Sequence, residues 1–288
     1  MDLSHLAPKV QQIALMDNEA RIAYCDMPVW IKTGSTKSFF DAVARLIELQ
    51  RIGSRSCIGL IGVSGIGKST MVERAEALFN TPDATRVIRI DLATCGRHID
   101  LQETFLSQIG FTENAKTMSN PNGVKRTKER LEQMQAAVCI LDEANALIGA
   151  KHMLVQSNYT YLRALANSDV GLSVIVVGTE EFKSHLAVDS QCRSRFGLWE
   201  VPSWESDSLE FSRFLKTFVK FMPLRKASVL DTRDIQADLV NECNGSTREI
   251  VKVLVASAKL AIQSGEERID QELISLSRSM LLPTFGDD

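Results

Sequence analysis

Six cysteines are spread over 288 residues with no C-x-x-C pair among them. Cys25, Cys57, Cys95, Cys139, Cys192 and Cys243 therefore read as free thiols of a reducing compartment, not as a disulfide framework. No apolar run approaches the ~20 residues that a membrane span needs. The polar N-terminus lacks the apolar core of a signal peptide, so a soluble, cytoplasmic protein is expected. Charge of one sign is also missing. Lys and Arg number 33 against 36 Asp and Glu, a net charge of −3. Any contact with nucleic acid must then come from a local basic patch. There is no aromatic-rich stacking run and no groove-reading motif, so sequence-specific recognition is not expected. Internal repeats, low-complexity segments and an evident three-carboxylate nuclease core are absent as well.

What is present centres on one stretch. Gly62-Val63-Ser64-Gly65-Ile66-Gly67-Lys68-Ser69 reads G-x-x-x-x-G-K-S. An apolar, strand-like run, Cys57 to Ile61, precedes it. Thr70 to Phe79 follows with helical spacing, placing Met71, Val72, Ala75 and Leu78 on one side. Strand, glycine loop and helix together make a P-loop. Glycines let backbone N–H groups converge on phosphate oxygens, and the helix N-terminus adds partial positive charge. Lys68 can reach the β- and γ-phosphates of ATP, and Ser69 offers a hydroxyl to Mg²⁺.

Ala137-Val138-Cys139-Ile140-Leu141-Asp142-Glu143 is the second informative run. A buried strand ending in two carboxylates delivers them where parallel sheets bind ligands. Asp142 suits the Mg²⁺ shell, and Glu143 suits polarisation of an attacking water. Leu172 to Thr179 is a further apolar strand, and its terminal Thr179 could contact the γ-phosphate or the water. Arg86 to Leu92 alternates as another strand. Leu101 to Ile109 reads as a helix closed by Gly110. Residues 112–123, with Asn120-Pro121-Asn122-Gly123, read as a polar loop before the helix that carries Lys125 and Arg126. Cys192-Arg193-Ser194-Arg195-Phe196 precedes a short strand over Leu198–Val201. An arginine there, Arg195 first and Arg193 second, could reach a neighbouring subunit's γ-phosphate.

Four segments result: an N-terminal extension over 1–50, an α/β nucleotide-binding core over 51–203, a helical segment over 204–281 and a loose tail over 282–288. In the first, Val10, Ile13, Ala14 and Ile22 fit a short amphipathic helix, and Pro28 to Ile31 an extended stretch. Trp30 and Ile31 could border an adenine ring or simply cover the core edge. The helical pattern after Pro202 falls at roughly 207–221, 231–243, 247–264 and 270–281. Arg248, near the start of the third helix, could fold back onto nucleotide. Helix spacing over 35–50 places Phe39, Val43, Leu46 and Ile47 together.

P-loop, Asp-Glu, strand-end Thr179, the Arg193/Arg195 box and Gly-x-x-Arg248, in this order, resemble the AAA+ ATPases. That resemblance implies an α/β fold with a parallel sheet of order 5-1-4-3-2, a C-terminal helical lid and nucleotide sites between subunits. Thr70 and the loop residues from Gly62 to Ser69 would contact nucleotide. A narrower set is similar to TniB, an ATPase of transposons related to those bearing TnsC: His5-Leu6-Ala7-Pro8, Arg21-Ile22-Ala23-Tyr24 and Trp30-Ile31, then the helix of 36–50. Two positions depart from the commoner TniB pattern: Lys32-Thr33 stands where an aromatic follows Trp-Ile, and Ser69 stands where threonine is frequent. The TniB resemblance implies an ATP-dependent ring or filament on double-stranded DNA. It also implies partners, a DDE transposase and a target selector of the TniQ type. Pore-side loops of such rings nominate Arg97, Lys116, Lys125, Arg126 and Lys151 as DNA contacts. Other AAA+ roles, helicase loading or secretion, and a monomeric P-loop kinase or nucleotide switch are the competing readings. The Asp-Glu pair and arginine box argue against the last.

Overall fold

The computed structural model describes residues 1–96, 99–148, 152–166, 171–188 and 190–281. In chain order the first elements are α1 (Pro8–Ala14), α2 (Asn18–Cys25), α3 (Gly34–Arg51), β1 (Cys57–Ile61), α4 (Lys68–Phe79) and β2 (Val87–Asp91). Then come α5 (Leu101–Gln108), α6 (Ala115–Met118), α7 (Pro121–Met134), β3 (Val138–Asp142), α8 (His152–Ala166), β4 (Ser173–Gly178), α9 (Glu180–Val188) and α10 (Ser190–Arg195). The chain closes with β5 (Phe196–Glu200), α11 (Leu209–Val219), α12 (Arg233–Glu242), α13 (Thr247–Ser264) and α14 (Gln271–Leu281). The tail, 282–288, lies outside the described residues. The chain divides into two units, one of residues 35–202 and one of 1–34 with 203–288. The N-terminal extension is thus split at Gly34, its first part joining the helical segment and α3 joining the sheet.

In the first unit the five strands are all parallel in the order β2-β3-β4-β1-β5. This is the expected 5-1-4-3-2 sheet. The interior strand β3 is buried at every residue. Cys139 and Leu141 join a core with Leu101, Phe105, Leu162 and Leu165 from α5 and α8. Val138 and Ile140 alternate to the opposite face and are equally buried, as a strand covered on both sides requires. The Cys139 thiol is pushed up to about 12 by burial, which makes it inert at neutral pH. All six cysteines are free.

Three local expectations shift. The segment around Asn120 is not a loop: Asn120 accepts a hydrogen bond from the Gly123 N–H at 2.8 Å, and Pro121 opens α7 four residues before Lys125. Asparagine at the cap with proline just inside is a strong helix start. Gly123 is required there, because a Cβ would sit 2.4 Å from the Met118 carbonyl oxygen. Strand β5 begins at Phe196, two residues early, because the buried Phe196 pairs with Cys57. Leu78 is 59% exposed, unlike Met71, Val72 and Ala75. After the last turn of α4, Asn80 brackets Val87 with two 2.9 Å hydrogen bonds.

The second unit is helical. Phe211, Phe214 and Phe218 on α11 share one face and pack with Leu239, Ile250 and Leu254 from α12 and α13. Cys25 of α2 is buried in this core, and Ile22, Val29 and Ile31 pack against it. The segment Arg21–Tyr24 is therefore helical and belongs to α2. Arg21 is fully buried. Its guanidinium donates to the Pro223 carbonyl at 2.9 and 3.0 Å, to Asn18 at 3.1 Å and to both carboxylate oxygens of Glu267. Burial raises the Glu267 pKa, but Arg21 and Arg225 outweigh it and hold the carboxyl below its ordinary value. Its stabilising contribution is therefore present above the ordinary carboxylate range and is lost as pH falls through the depressed value. Glu267→Gln should cost this unit about 3 kcal/mol at pH 7, since it leaves a buried guanidinium without counter-charge. Urea denaturation at pH 7 checks this, and the difference from wild type should shrink toward pH 3.

Candidate functional site: a phosphate loop and its carboxylates

Parallel pairing puts the C-terminal ends of β1, β3 and β4 on one edge of the sheet. β1 runs into the glycine loop. At Gly62 a Cβ would come within 3.0 Å of the Val201 carbonyl oxygen. Gly65 and Gly67 have φ of 76° and 109°, a region that glycine enters without cost. Gly67 caps α4, so the N–H groups of Lys68, Ser69 and Thr70 open a helix with no intrahelical acceptor. Val63 and Ser64 are exposed on the loop and Ile66 is buried beneath it. Lys68 is 8% exposed, and its Nζ donates to the carbonyls of Gly62 at 2.7 Å and Val63 at 2.9 Å. The loop thus offers convergent N–H donors and a held ammonium, the chemistry that binds phosphate.

The Ser69 hydroxyl donates to Asp142 Oδ1 at 3.2 Å, which brings P-loop and β3 carboxylate together. Asp142 is 1% exposed. Burial raises its pKa; hydrogen bonds from the Glu143 N–H and from Ser69 partly offset this. A buried carboxylate beside a hydroxyl and a phosphate loop is an oxygen-only donor set. That fits Mg²⁺, which keeps waters and phosphate oxygens in its shell and needs few protein ligands. Among the described residues no group of three or more His, Cys, Asp or Glu forms a metal cage.

Two partners were not legible in the sequence. Arg89 on β2 donates to Asp142 Oδ2 at 3.4 Å and pairs with Glu76 at 3.2 Å and Glu73 at 3.7 Å. The only hint is a basic residue between the two isoleucines of β2. Asn145 donates to the Thr179 hydroxyl at 2.6 Å and accepts from the Thr179 N–H at 2.9 Å. This two-way bond fixes the end of β4 against the turn that follows β3. Glu143 stands in that turn, exposed, with φ 53° and ψ 45°. A non-glycine residue in the left-handed region carries strain that the surroundings must support.

The two arginines lie elsewhere. Arg193 and Arg195 are exposed on α10, and neither has an ion-pair partner among the described residues. β5 begins at Phe196 beside Cys57, the first residue of β1. Arg195 therefore sits at the N-terminal edge of the sheet, a five-residue strand or ~16 Å from its own P-loop. In the helical unit, Arg248 is exposed in the first turn of α13. There Ile31 packs on the core, and Trp30 is half-buried. Of the nominated DNA contacts, Lys116 and Lys125 are exposed, and Lys125 lies 3.8 Å from Glu129. Arg126 is engaged by Glu113 at 2.5 Å and rests over the Phe111 ring at 5.3 Å. Arg97 and Lys151 lie outside the described residues.

Sheet order, phosphate loop and strand-end carboxylates define the AAA+ class of P-loop ATPases. The chain belongs to the TniB family, whose model, described as bacterial TniB protein, matches residues 21–206. Curated protein sequences give no match. Among solved structures the fold is similar to Cdc6p from Pyrobaculum aerophilum, at TM-score 0.63 and 16% identity, covering 95% of this chain and 73% of that one. The Aeropyrum pernix ORC2 protein in ADPNP–ADP complexes aligns at TM-score 0.62 and 17% identity, covering 90% and 71%. The Aeropyrum pernix ORC1 protein in complex with DNA aligns at 0.55 and 15%, covering 87% and 66%. Among the described residues no helix is long and apolar enough to cross a membrane.

Proposed function

We propose that this protein is an ATP-dependent transposition regulator that oligomerises on double-stranded DNA and links a target selector of the TniQ type to a DDE transposase. The family match over residues 21–206 carries this reading. The site supplies its chemistry. Backbone N–H groups from Gly62 to Thr70 bind the ATP phosphates, and Lys68 exchanges its loop carbonyls for phosphate oxygens. Ser69 and Asp142 hold Mg²⁺, which when bound neutralises charge on the transferred phosphoryl group. Glu143 takes a proton from the attacking water, and Thr179, fixed by Asn145, positions that water or the γ-phosphate. The helices after Pro202 serve as the lid: Arg248 reaches the nucleotide from α13, and Trp30 and Ile31 border its adenine. Arg195, with Arg193 beside it, completes a neighbour's site. ATP therefore joins subunits and hydrolysis loosens them.

Duplex binding rests on phosphate contacts, for which the exposed Lys116 and Lys125 are the better placed of the described cations. Arg126 is occupied with Glu113 and contributes less. Negative-stain microscopy with linear duplex DNA tests the proposal. Rings or filaments are expected with a slowly hydrolysed ATP analogue and Mg²⁺, not with ADP, and not with Lys68→Ala. Monomers in every condition would overturn the reading in favour of helicase loading or secretion.

A further inference from the structure

At the sheet edge opposite the phosphate loop, a cavity of about 450 Å³ opens between α3, α7 and the starts of β1 to β4. Arg55 precedes β1, Arg86 precedes β2, Ala136 and Ala137 precede β3, and Gly171 precedes β4. The volume lies in the ~300–1,000 Å³ range of pockets that bury a small ligand. Its described lining carries four cations, Arg51, Arg55, Arg86 and Lys128, against one carboxylate, Glu132. Arg51, Arg86 and Lys128 have no ion-pair partner among the described residues. In a chain of net charge −3 this is a local concentration of positive charge. The nucleotide chemistry uses none of it.

Two further features narrow the ligand. The apolar part of the wall is aliphatic, from Ile47, Leu131, Ala136 and Ala137, and no described lining residue is aromatic. A nucleobase would find no stacking surface, whereas an aliphatic side chain would find a matching one. Gln50 also lines the cavity, and its Oε1 is buried with no hydrogen-bond partner among the described residues. A buried acceptor of this kind needs a donor, which a peptide N–H supplies and a fully ionised phosphate does not.

We infer that this cavity docks a short acidic peptide segment of a partner protein. An aliphatic side chain seats on Ile47 and Leu131, flanking carboxylates meet the guanidinium forks of Arg51 and Arg86, and a backbone N–H meets Gln50. Arginine suits the rim because its planar fork takes a carboxylate through two hydrogen bonds. The site stands apart from ATP turnover, so it holds or fails independently of the function proposed above.

The test is fluorescence anisotropy, without nucleotide, of a fluorescein-labelled Asp-Glu-Leu-Leu-Asp-Glu peptide with the full chain. Saturable binding is expected. It should weaken about tenfold or more with the Arg51→Glu, Arg86→Glu double variant, the loss of two charge-assisted pairs. It should stay within about twofold with Lys37→Glu, an exposed charge on the first turns of α3, away from the cavity. Replacing the two leucines of the peptide by serine should also weaken binding about tenfold. Retained thermal stability of the double variant separates lost docking from lost folding. No saturable binding would overturn the inference. So would serine and leucine peptides binding alike, or inorganic phosphate displacing the peptide at equal charge, since the cavity would then be a simple anion site.

Discussion

Arg195→Ala should lower ATP turnover about 1,000-fold or more, the effect of withdrawing an arginine that neutralises charge on a transferring phosphoryl group. The placement of Arg195 makes the prediction sharper than a simple loss. It sits at the start of β5, beside Cys57, while the phosphate loop lies past the other end of β1. It cannot serve its own nucleotide. A mixture of Arg195→Ala and Lys68→Ala subunits should then regain activity that neither shows alone. In mixed interfaces an intact loop from the first variant faces an intact arginine from the second. Arg193→Ala, on the same exposed helix, should cost far less. No recovery in the mixture would assign Arg195 a role within its own chain. Collapse with Arg193→Ala alone would move the finger two residues back.

The parts of the fold that follow from local pattern were readable in the sequence. Apolar alternation and runs marked β1 to β4 within a residue or two, and the glycine spacing of 62–67 marked the loop. Helical spacing after Pro202 placed α11 to α14 closely. What escaped was contact between residues far apart in sequence. Arg21 reads as part of a short family signature; the structure shows it buried against Glu267, 246 positions away. That contact ties residues near the N-terminus to the helical unit, which residues 1–34 share with 203–288. Arg89 meets Asp142 because β2 pairs with β3, and nothing in either strand alone reports that register. Asn145 acquires its meaning from Thr179, 34 residues on. The early start of α7 is a different kind of miss. By composition Asn120-Pro121 belongs to a polar loop, yet the same two residues cap a helix equally well.

Glu143→Gln should cut ATP turnover by about 100- to 10,000-fold, the usual worth of a positioned general base. Nucleotide binding should persist, because Lys68, Ser69 and Asp142 keep their places. Assembly on DNA should therefore be prolonged, not lost, and sedimentation with ATP and duplex DNA would measure its lifetime against wild type. Loss of assembly instead would mean that Glu143 supports the site's structure. The backbone gives a second, independent check on the same residue. Glu143 occupies the left-handed region at φ 53°, which costs a side-chain-bearing residue about 1 kcal/mol or more. Glu143→Gly should relieve that strain and raise the stability of the sheet unit by about 1 kcal/mol, while turnover falls as it does for Gln. A variant more stable and yet inactive is expected where strain is retained for chemistry, since the turn that exposes this carboxylate is the one Asn145 ties to Thr179. If Glu143→Gly were instead less stable, the side chain would be holding the turn, and the water-polarising role would pass to another group.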